Sequence, residues 1–164
     1  MNDHQNFTVI EYHDGNFYDC FRPVFESGAK LSEVRYYVDM EFIGDSSNWI
    51  EIIQLIFVDK DTVYPIYLRA NPDFDTIEIY DRFPETDTCY QSFIPQTLWN
   101  ESVGSSLAWC RKMQNQQGYV DGIQFEFHNH TIIQIIGLAS ELVTMQVVKA
   151  TEILCKSRID EHKV

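Results

Sequence analysis

The chain has 164 residues, of which 45% are hydrophobic and 14% aromatic, and its 25 Asp and Glu residues against 12 Lys and Arg residues give a net charge of −13. So much apolar side chain at this length can form a hydrophobic core, which excludes an intrinsically disordered protein and predicts a single domain over residues 1–164. The negative charge repels phosphate groups, so nucleic acid and membrane surfaces are not expected as partners.

The first part of the chain is predicted to be an irregular segment followed by a strand meander. Residues 1–30 lack a sustained period, although residues 17–25 allow a short helix or strands around Pro23, which has no backbone donor. Residues 31–83 mostly alternate between apolar and polar side chains, which predicts half-buried strands. Residues 49–58 are apolar on both faces apart from Glu51 and Gln54, as in a central strand, whereas Pro65 favours an edge or bulge in the next strand.

The second part of the chain is predicted to contain the main helix and a second meander. Residues 84–104 connect the two parts, and Ser105 can then cap a helix over residues 105–117, in which Leu107 and Cys110 form an apolar stripe and which Gly118 ends. Residues 119–155 alternate again. We therefore predict an α+β fold, with a twisted antiparallel sheet of about seven strands, arranged in meanders, packed against one main helix.

The ends and the cysteines of the sequence predict a cytoplasmic protein. The first residues contain no basic segment followed by an apolar stretch, and no run approaches the roughly 20 apolar residues that cross a bilayer. The four cysteines, Cys20, Cys89, Cys110 and Cys155, are far apart and form no C-x-x-C pair. In a reducing compartment they are expected to act as small buried hydrophobic residues.

The negative charge is concentrated in the first half of the chain and is densest at residues 73–87. Residues 1–90 contain 18 Asp and Glu against 6 Lys and Arg, whereas residues 91–164 contain 7 and 6. In residues 73–87, aromatic rings that offer rigid contact area alternate with carboxylates that steer a basic partner. A solvated strand face with ordinary charged loops explains the same pattern and stays open. The predicted partner-binding residues are Asp73, Phe74, Asp75, Glu78, Tyr80 and Asp81.

A second candidate site is a small-ligand pocket between the sheet and the predicted helix, lined by Trp109, Cys110 and Tyr119. Arg111 and Lys112 follow Cys110 and could lower the pKa of a nucleophilic thiol, but packing of Cys110 against the core is the alternative. The sequence His128-Asn129-His130 falls at a predicted turn, where two exposed imidazoles do not share a strand face. We therefore predict no metal site, no cofactor and no catalytic residue.

Residues 109–113, 115–119 and 121–127 resemble part of a family of short uncharacterised bacterial proteins with no assigned activity. The resemblance covers about the last third of the chain and implies no catalytic residue. The size and acidity of the chain are also similar to those of bacterial immunity proteins, which neutralise basic toxins.

Three functions are compatible with the sequence. The first is a protein-binding module of the immunity or inhibitor type that engages a basic protein through its acidic first half. The second is a small enzyme or ligand-binding protein; the chain lacks the G-x-S-x-G, P-loop, Rossmann, H-E-x-x-H and EF-hand patterns, which lowers the expectation of an enzyme without excluding one. The third is a self-associating subunit, because Ile132 and Ile136 lie on the second face of their predicted strand.

Overall fold

The computed structural model describes residues 17–42, 49–71, 73, 76–95, 97–138 and 140–147. The described part of the chain contains one α-helix, a short 3-10 helix and nine strands. They are α1 (Phe17–Ser27), β1 (Lys30–Asp39), the 3-10 helix Met40–Phe42, β2 (Ile50–Asp59), β3 (Thr62–Asn71), β4 (Thr76–Tyr80), β5 (Tyr90–Phe93), β6 (Leu107–Gln114), β7 (Val120–Phe127), β8 (Ile132–Leu138) and β9 (Glu141–Gln146).

The strands form two antiparallel sheets. The five-stranded sheet has the order β4-β3-β2-β1-β5, and the four-stranded sheet has the order β6-β7-β8-β9. The predicted α+β class is confirmed, and the strands of residues 31–83 and of residues 119–155 follow each other as meanders. The single sheet of the prediction is replaced by two, which share no strand; an isolated bridge between Lys30 of β1 and Ser106, just before β6, connects them.

The two sheets pack face to face and enclose the core. Tyr36 of β1 joins them, because its hydroxyl accepts a hydrogen bond from Trp99 Nε1 at 2.7 Å and lies 2.8 Å from Thr144 Oγ1 of β9. The sheets approach closely at Gly137 of β8, where an added Cβ would lie 3.3 Å from Ile77 Cγ1 of β4. A glycine in a strand often marks such a close approach.

Helix α1 closes one side of the core. Its buried residues include Phe21, whose ring centroid lies 5.5 Å from that of Phe125 in β7. Gly28 ends the helix with a φ of 67°, and the amides of Gly28 and Ala29 donate to the carbonyls of Phe25 and Val24. This hydrogen-bond pattern is a Schellman motif, which satisfies the last carbonyls of a helix. Of the two conformations predicted around Pro23, the helix is the observed one, and residues 1–16 lie outside the described residues.

The helix predicted over residues 105–117 is wrong, because Leu107–Gln114 is strand β6. The pairing of β6 with β7 shifts by one residue between Leu107 and Trp109. Leu107 and Cys110 are therefore both buried although they are three positions apart, a spacing that imitates a helix. Ser105 caps no helix; its carbonyl accepts a hydrogen bond from the Leu31 amide at 2.9 Å.

Two expectations about the first meander are met. Strand β2 lies in the middle of its sheet, and four consecutive residues, Ile52, Ile53, Gln54 and Leu55, are buried. Pro65 opposes Ile56 of β2, while the pairing of β3 with β4 covers only Tyr67–Asn71, so Pro65 lies where β3 is locally an edge. No helix in the described part of the chain is long and apolar enough to cross a membrane.

Candidate protein-binding face

The outer face of the five-stranded sheet carries a cluster of tyrosine and polar side chains. Tyr67 of β3 is in register with both Tyr80 of β4 and Gln54 of β2. The next residue of β3, Leu68, is buried in the core. Because successive strand residues point to opposite faces, the residues in register with Tyr67 lie away from the core. We call this surface the tyrosine face and define it by Tyr37, Glu51, Gln54, Tyr67, Arg69, Glu78, Tyr80 and Tyr90.

Gln54 holds the centre of the tyrosine face. Its side chain is only 8% exposed, which is unusual for an amide. Its Oε1 atom accepts a hydrogen bond from the Tyr37 hydroxyl at 2.8 Å, and its Nε2 atom donates one to the Tyr67 hydroxyl at 2.8 Å. Burial raises the pKa of both Tyr37 and Tyr67. Three neighbouring strands are thus linked by neutral groups across this face.

A bulge directs Glu51 onto the same face. Tyr37 opposes Ile52 and Val38 opposes Ile50, so Glu51 is the extra residue of β2. A bulge changes the direction in which a side chain points. The Oε1 atom of Glu51 accepts hydrogen bonds from Arg69 Nε at 3.2 Å, from Arg69 Nη2 at 3.0 Å and from the Tyr90 hydroxyl at 2.8 Å.

Glu78 and Tyr80 of β4 complete the face. The Tyr80 hydroxyl donates to Glu78, and Asn71 Nδ2 donates to Glu78 Oε1 at 2.9 Å. Burial, together with the hydrogen bond to the Glu78 carboxylate and its charge, raises the pKa of Tyr80. Arg69 is directly opposite Glu78 in the pairing of β3 with β4, so this cation lies between the strands that carry the two carboxylates.

The segment between β4 and β5 folds over the tyrosine face through Phe83. The ring centroid of Phe83 lies 5.0 Å from that of Tyr37, 5.6 Å from that of Tyr67 and 5.9 Å from that of Tyr90, all in edge-to-face geometry. Beside the Phe83 ring is an open cavity of about 520 Å³, lined by Phe83, Pro84, Glu85, Thr86, Asp87 and Thr88. The two carboxylates of this lining are exposed.

The structure brings together only part of the predicted partner-binding set. Glu78 and Tyr80 lie on the tyrosine face, and Asp81 is exposed directly after β4. Asp73 is exposed in the connection between β3 and β4, where its amide donates to Asn71 Oδ1 at 2.9 Å. Phe74 and Asp75 lie outside the described residues.

The sequence prediction omitted most of the tyrosine face. The residues of the tyrosine face other than Glu78 and Tyr80 come from four different strands, and only the register of the sheet brings them together. The outward orientation of Tyr37 could have been predicted from the sequence, because Tyr37 lies on the polar side of an alternating strand. The residues not anticipated are Tyr37, Glu51, Gln54, Tyr67, Arg69 and Tyr90, together with the covering residue Phe83.

The three residues of the predicted ligand pocket do not meet. Trp109 is 65% exposed on one face of β6, whereas Cys110 is buried on the other. Tyr119 is exposed in the connection between β6 and β7. Burial raises the pKa of the Cys110 thiol well above its usual value, with a smaller contribution from nearby Cys20, which disfavours a nucleophilic thiolate.

His128 and His130 are both exposed at the turn between β7 and β8. Within the residues that the structure describes, no group of three or more His, Cys, Asp or Glu side chains could hold a metal ion.

Comparison with protein families places the chain in one family. The model described as "Family of unknown function (DUF6334)" matches residues 24–151, so the chain belongs to this family. The matched range includes all nine strands of the two sheets. The search of curated proteins and the search of solved structures found no match. The predicted resemblance to an uncharacterised family is thereby confirmed, whereas the similarity to immunity proteins has no support in these comparisons.

Proposed function

We propose that this protein is a binding module for a basic protein, which it engages through the tyrosine face and the adjoining segment of residues 81–88. The main support is that exposed carboxylates and aromatic rings meet around Phe83. In the finer form of the proposal, the protein is a cytoplasmic bacterial inhibitor of the immunity type, which rests on its size and acidity alone.

The charges around the tyrosine face favour a cationic partner. Arg69 is already bound to Glu51, and Arg35 is bound to Glu33. Arg82 lies 3.4 Å from Asp81 and is the only basic residue among the described residues between 73 and 88. The acidic residues there are Asp73, Glu78, Asp81, Glu85 and Asp87. Such an excess attracts a positively charged protein and raises its association rate.

The aromatic side chains supply contact area that charge alone does not. Tyrosine is enriched at the centres of protein interfaces, since it contributes a large surface with few rotatable bonds. A lysine or arginine side chain of the partner can also lie against the face of an aromatic ring, which stabilises a complex by about 0.5–2 kcal/mol. Gln54 and Glu51 hold the rings in place before binding, so less conformational entropy is lost on association.

Affinity capture from the native host tests this proposal when wild type is compared with two charge-matched variants. Glu85→Gln with Asp87→Asn removes two charges from the cavity beside Phe83. Asp59→Asn with Asp61→Asn removes two charges at the tight turn between β2 and β3, which is the control. A purified partner is then titrated by calorimetry at several salt concentrations.

We expect wild type and the control to capture the same cationic protein, and the cavity variant to bind it about three- to tenfold more weakly, since an exposed charge pair is worth about 0.2–1 kcal/mol. Binding should weaken as salt rises. Capture of no cationic protein, affinity that does not change with salt, or equal losses in both variants would contradict the proposal.

A further inference from the structure

Helix α1 and the first half of β3 border a smaller cavity, of about 150 Å³. Its lining consists of Cys20 and Pro23 of the helix, residues 63–66 of β3, and Tyr80 and Asp81 at the end of β4. Ile66 belongs to the hydrophobic core, and Cys20 packs against that core. We call this cavity the Cys20 pocket.

The Cys20 pocket exists because β3 is longer than β4. Strand β3 has ten residues and β4 has five, and their pairing covers only Tyr67–Asn71 of β3. Within the described part of the chain, no strand pairs with residues 63–66 on this side. Pro65 lies in this stretch and has no amide hydrogen, so it opposes the addition of another strand to the edge. The pocket is therefore suited to a small molecule rather than to a β-strand.

The size and polarity of the Cys20 pocket are those of a site for a single ring. Pockets for drug-sized ligands measure about 300–1,000 Å³, whereas an apolar cavity of about 150 Å³ accommodates benzene. The Tyr80 hydroxyl is already bound to Glu78. Four residues of the lining have purely hydrocarbon side chains, namely Pro23, Val63, Pro65 and Ile66. An apolar ring in the pocket would release water from these side chains, which favours binding.

The Cys20 thiol is part of the apolar wall and is not a nucleophile. Burial raises the pKa of this thiol to about 12, and the negative charges of Asp81 and Asp19 contribute to the rise. The thiol is therefore uncharged at neutral pH, and covalent chemistry is not expected there. Because the two carboxylates disfavour an anion at Cys20, they favour a cation at the same place.

The ion pairs beside the Cys20 pocket leave room for such a cation. Asp81 is exposed and lies 3.4 Å from Nε of its neighbour Arg82, and Asp19 is bound to Arg22. All four side chains of these pairs are more than 40% exposed. Exposed ion pairs contribute little to stability, so an ammonium group can approach Asp81 at small cost.

We propose that the Cys20 pocket binds a small primary amine with an apolar body about the size of one ring. The ring lies against the hydrocarbon side chains of the pocket, and the ammonium group lies beside Asp81. This site goes beyond the function proposed for the tyrosine face and does not depend on it, because the amine binds the protein without a partner.

Titration of the full chain with benzylamine, followed by two-dimensional NMR of the amide signals, tests the site. Benzyl alcohol and benzoate have a similar shape but carry a neutral and a negative group. We expect benzylamine to shift the amide signals of Cys20, Val63 and Ile66, with a dissociation constant on the order of 1 mM. It should bind about two- to fivefold more tightly than benzyl alcohol, the range for an exposed charge pair, and benzoate should bind most weakly.

Substitutions separate the role of the ring from that of the charge. Asp81→Asn should abolish the preference for benzylamine over benzyl alcohol. Asp73→Asn is the matched control and should keep the preference, because Asp73 is exposed beyond the opposite end of β3. Cys20→Phe should place a ring in the pocket and prevent binding of both probes, and Cys20→Leu is a smaller change with the same purpose. Circular dichroism establishes that each variant is folded.

Four results would overturn the proposal. One is that benzylamine shifts none of these amide signals at any millimolar concentration. Another is equal binding of the three probes by wild type. The third is a folded Cys20→Phe or Cys20→Leu variant that binds benzylamine like wild type. The fourth is a preference for benzylamine that persists in Asp81→Asn or is lost equally in Asp73→Asn.

Discussion

Replacement of Phe83 by alanine should release the segment between β4 and β5 from the tyrosine face. Phe83 is 37% exposed, so nearly two thirds of its surface is buried against the tyrosine rings. Full burial of a phenylalanine contributes about 1.5–3 kcal/mol, which gives about 1–2 kcal/mol here. Edge-to-face contacts add about 0.5–1.5 kcal/mol per pair in favourable cases. We therefore expect Phe83→Ala to lower the free energy of opening this segment by about 2–3 kcal/mol.

Hydrogen exchange measured by NMR reports this opening directly. The Thr88 amide donates to Thr86 Oγ1 at 3.1 Å, and the Met40 amide donates to the Cys89 carbonyl at 2.9 Å. Both amides should exchange about 30- to 150-fold faster in Phe83→Ala, since each 1.4 kcal/mol is a factor of ten, while Phe83→Leu should give an intermediate rate. Exchange at the wild-type rate in Phe83→Ala would refute the reasoning that Phe83 holds this segment.

Three further predictions concern the core, the thiols and the tyrosines. Tyr36→Phe should lower the free energy of unfolding in urea by about 1–3 kcal/mol, because it leaves the buried Nε1 donor of Trp99 without its acceptor; a loss below about 0.5 kcal/mol would contradict this. In the native protein a thiol reagent at pH 8 should modify exposed Cys89 and spare Cys110, whose burial raises its pKa, and peptide mapping should find Cys110 modified only after unfolding. Burial raises the pKa of each tyrosine of the tyrosine face. Their contribution to the free energy of unfolding should therefore be complete below the pKa of an unfolded tyrosine, about 10, and be lost as the pH rises through the raised pKa values. A urea midpoint unchanged up to pH 12 would disagree.

The strands were predictable where the alternation of apolar and polar residues was uninterrupted. Strands β1 and β7 follow a period of two, since one face of each is buried and the other is half-buried or exposed. Strand β6 was missed because its bulge places Leu107 and Cys110 on the same side at helical spacing. A local period cannot reveal a bulge, which is defined by the partner strand.

The sequence prediction reached the tyrosine face along β4, and Tyr37 of β1 could have been added from the alternation of its own strand. Glu78 and Tyr80 lie on one strand, so alternation alone puts them on one side. Gln54 meets Tyr37 and Tyr67 across separations of 17 and 13 residues, and their contact depends on the register of three strands. Phe83 lies at the end of the alternating residues 31–83, but β4 ends at Tyr80, so Phe83 approaches the face from the connection that follows the strand. Such contacts follow from tertiary structure, which composition and spacing do not specify.

The central claim is that the tyrosine face and residues 81–88 contact a basic partner. Zero-length carbodiimide cross-linking tests it most directly, because this reagent joins a carboxylate to a lysine amine only when the two are in contact. With the partner captured from the host, we expect cross-links from its lysines to Glu85 or Asp87, which line the cavity beside Phe83. Cross-links confined to Asp59 and Asp61, or to carboxylates of the four-stranded sheet such as Glu126 and Glu141, would contradict it.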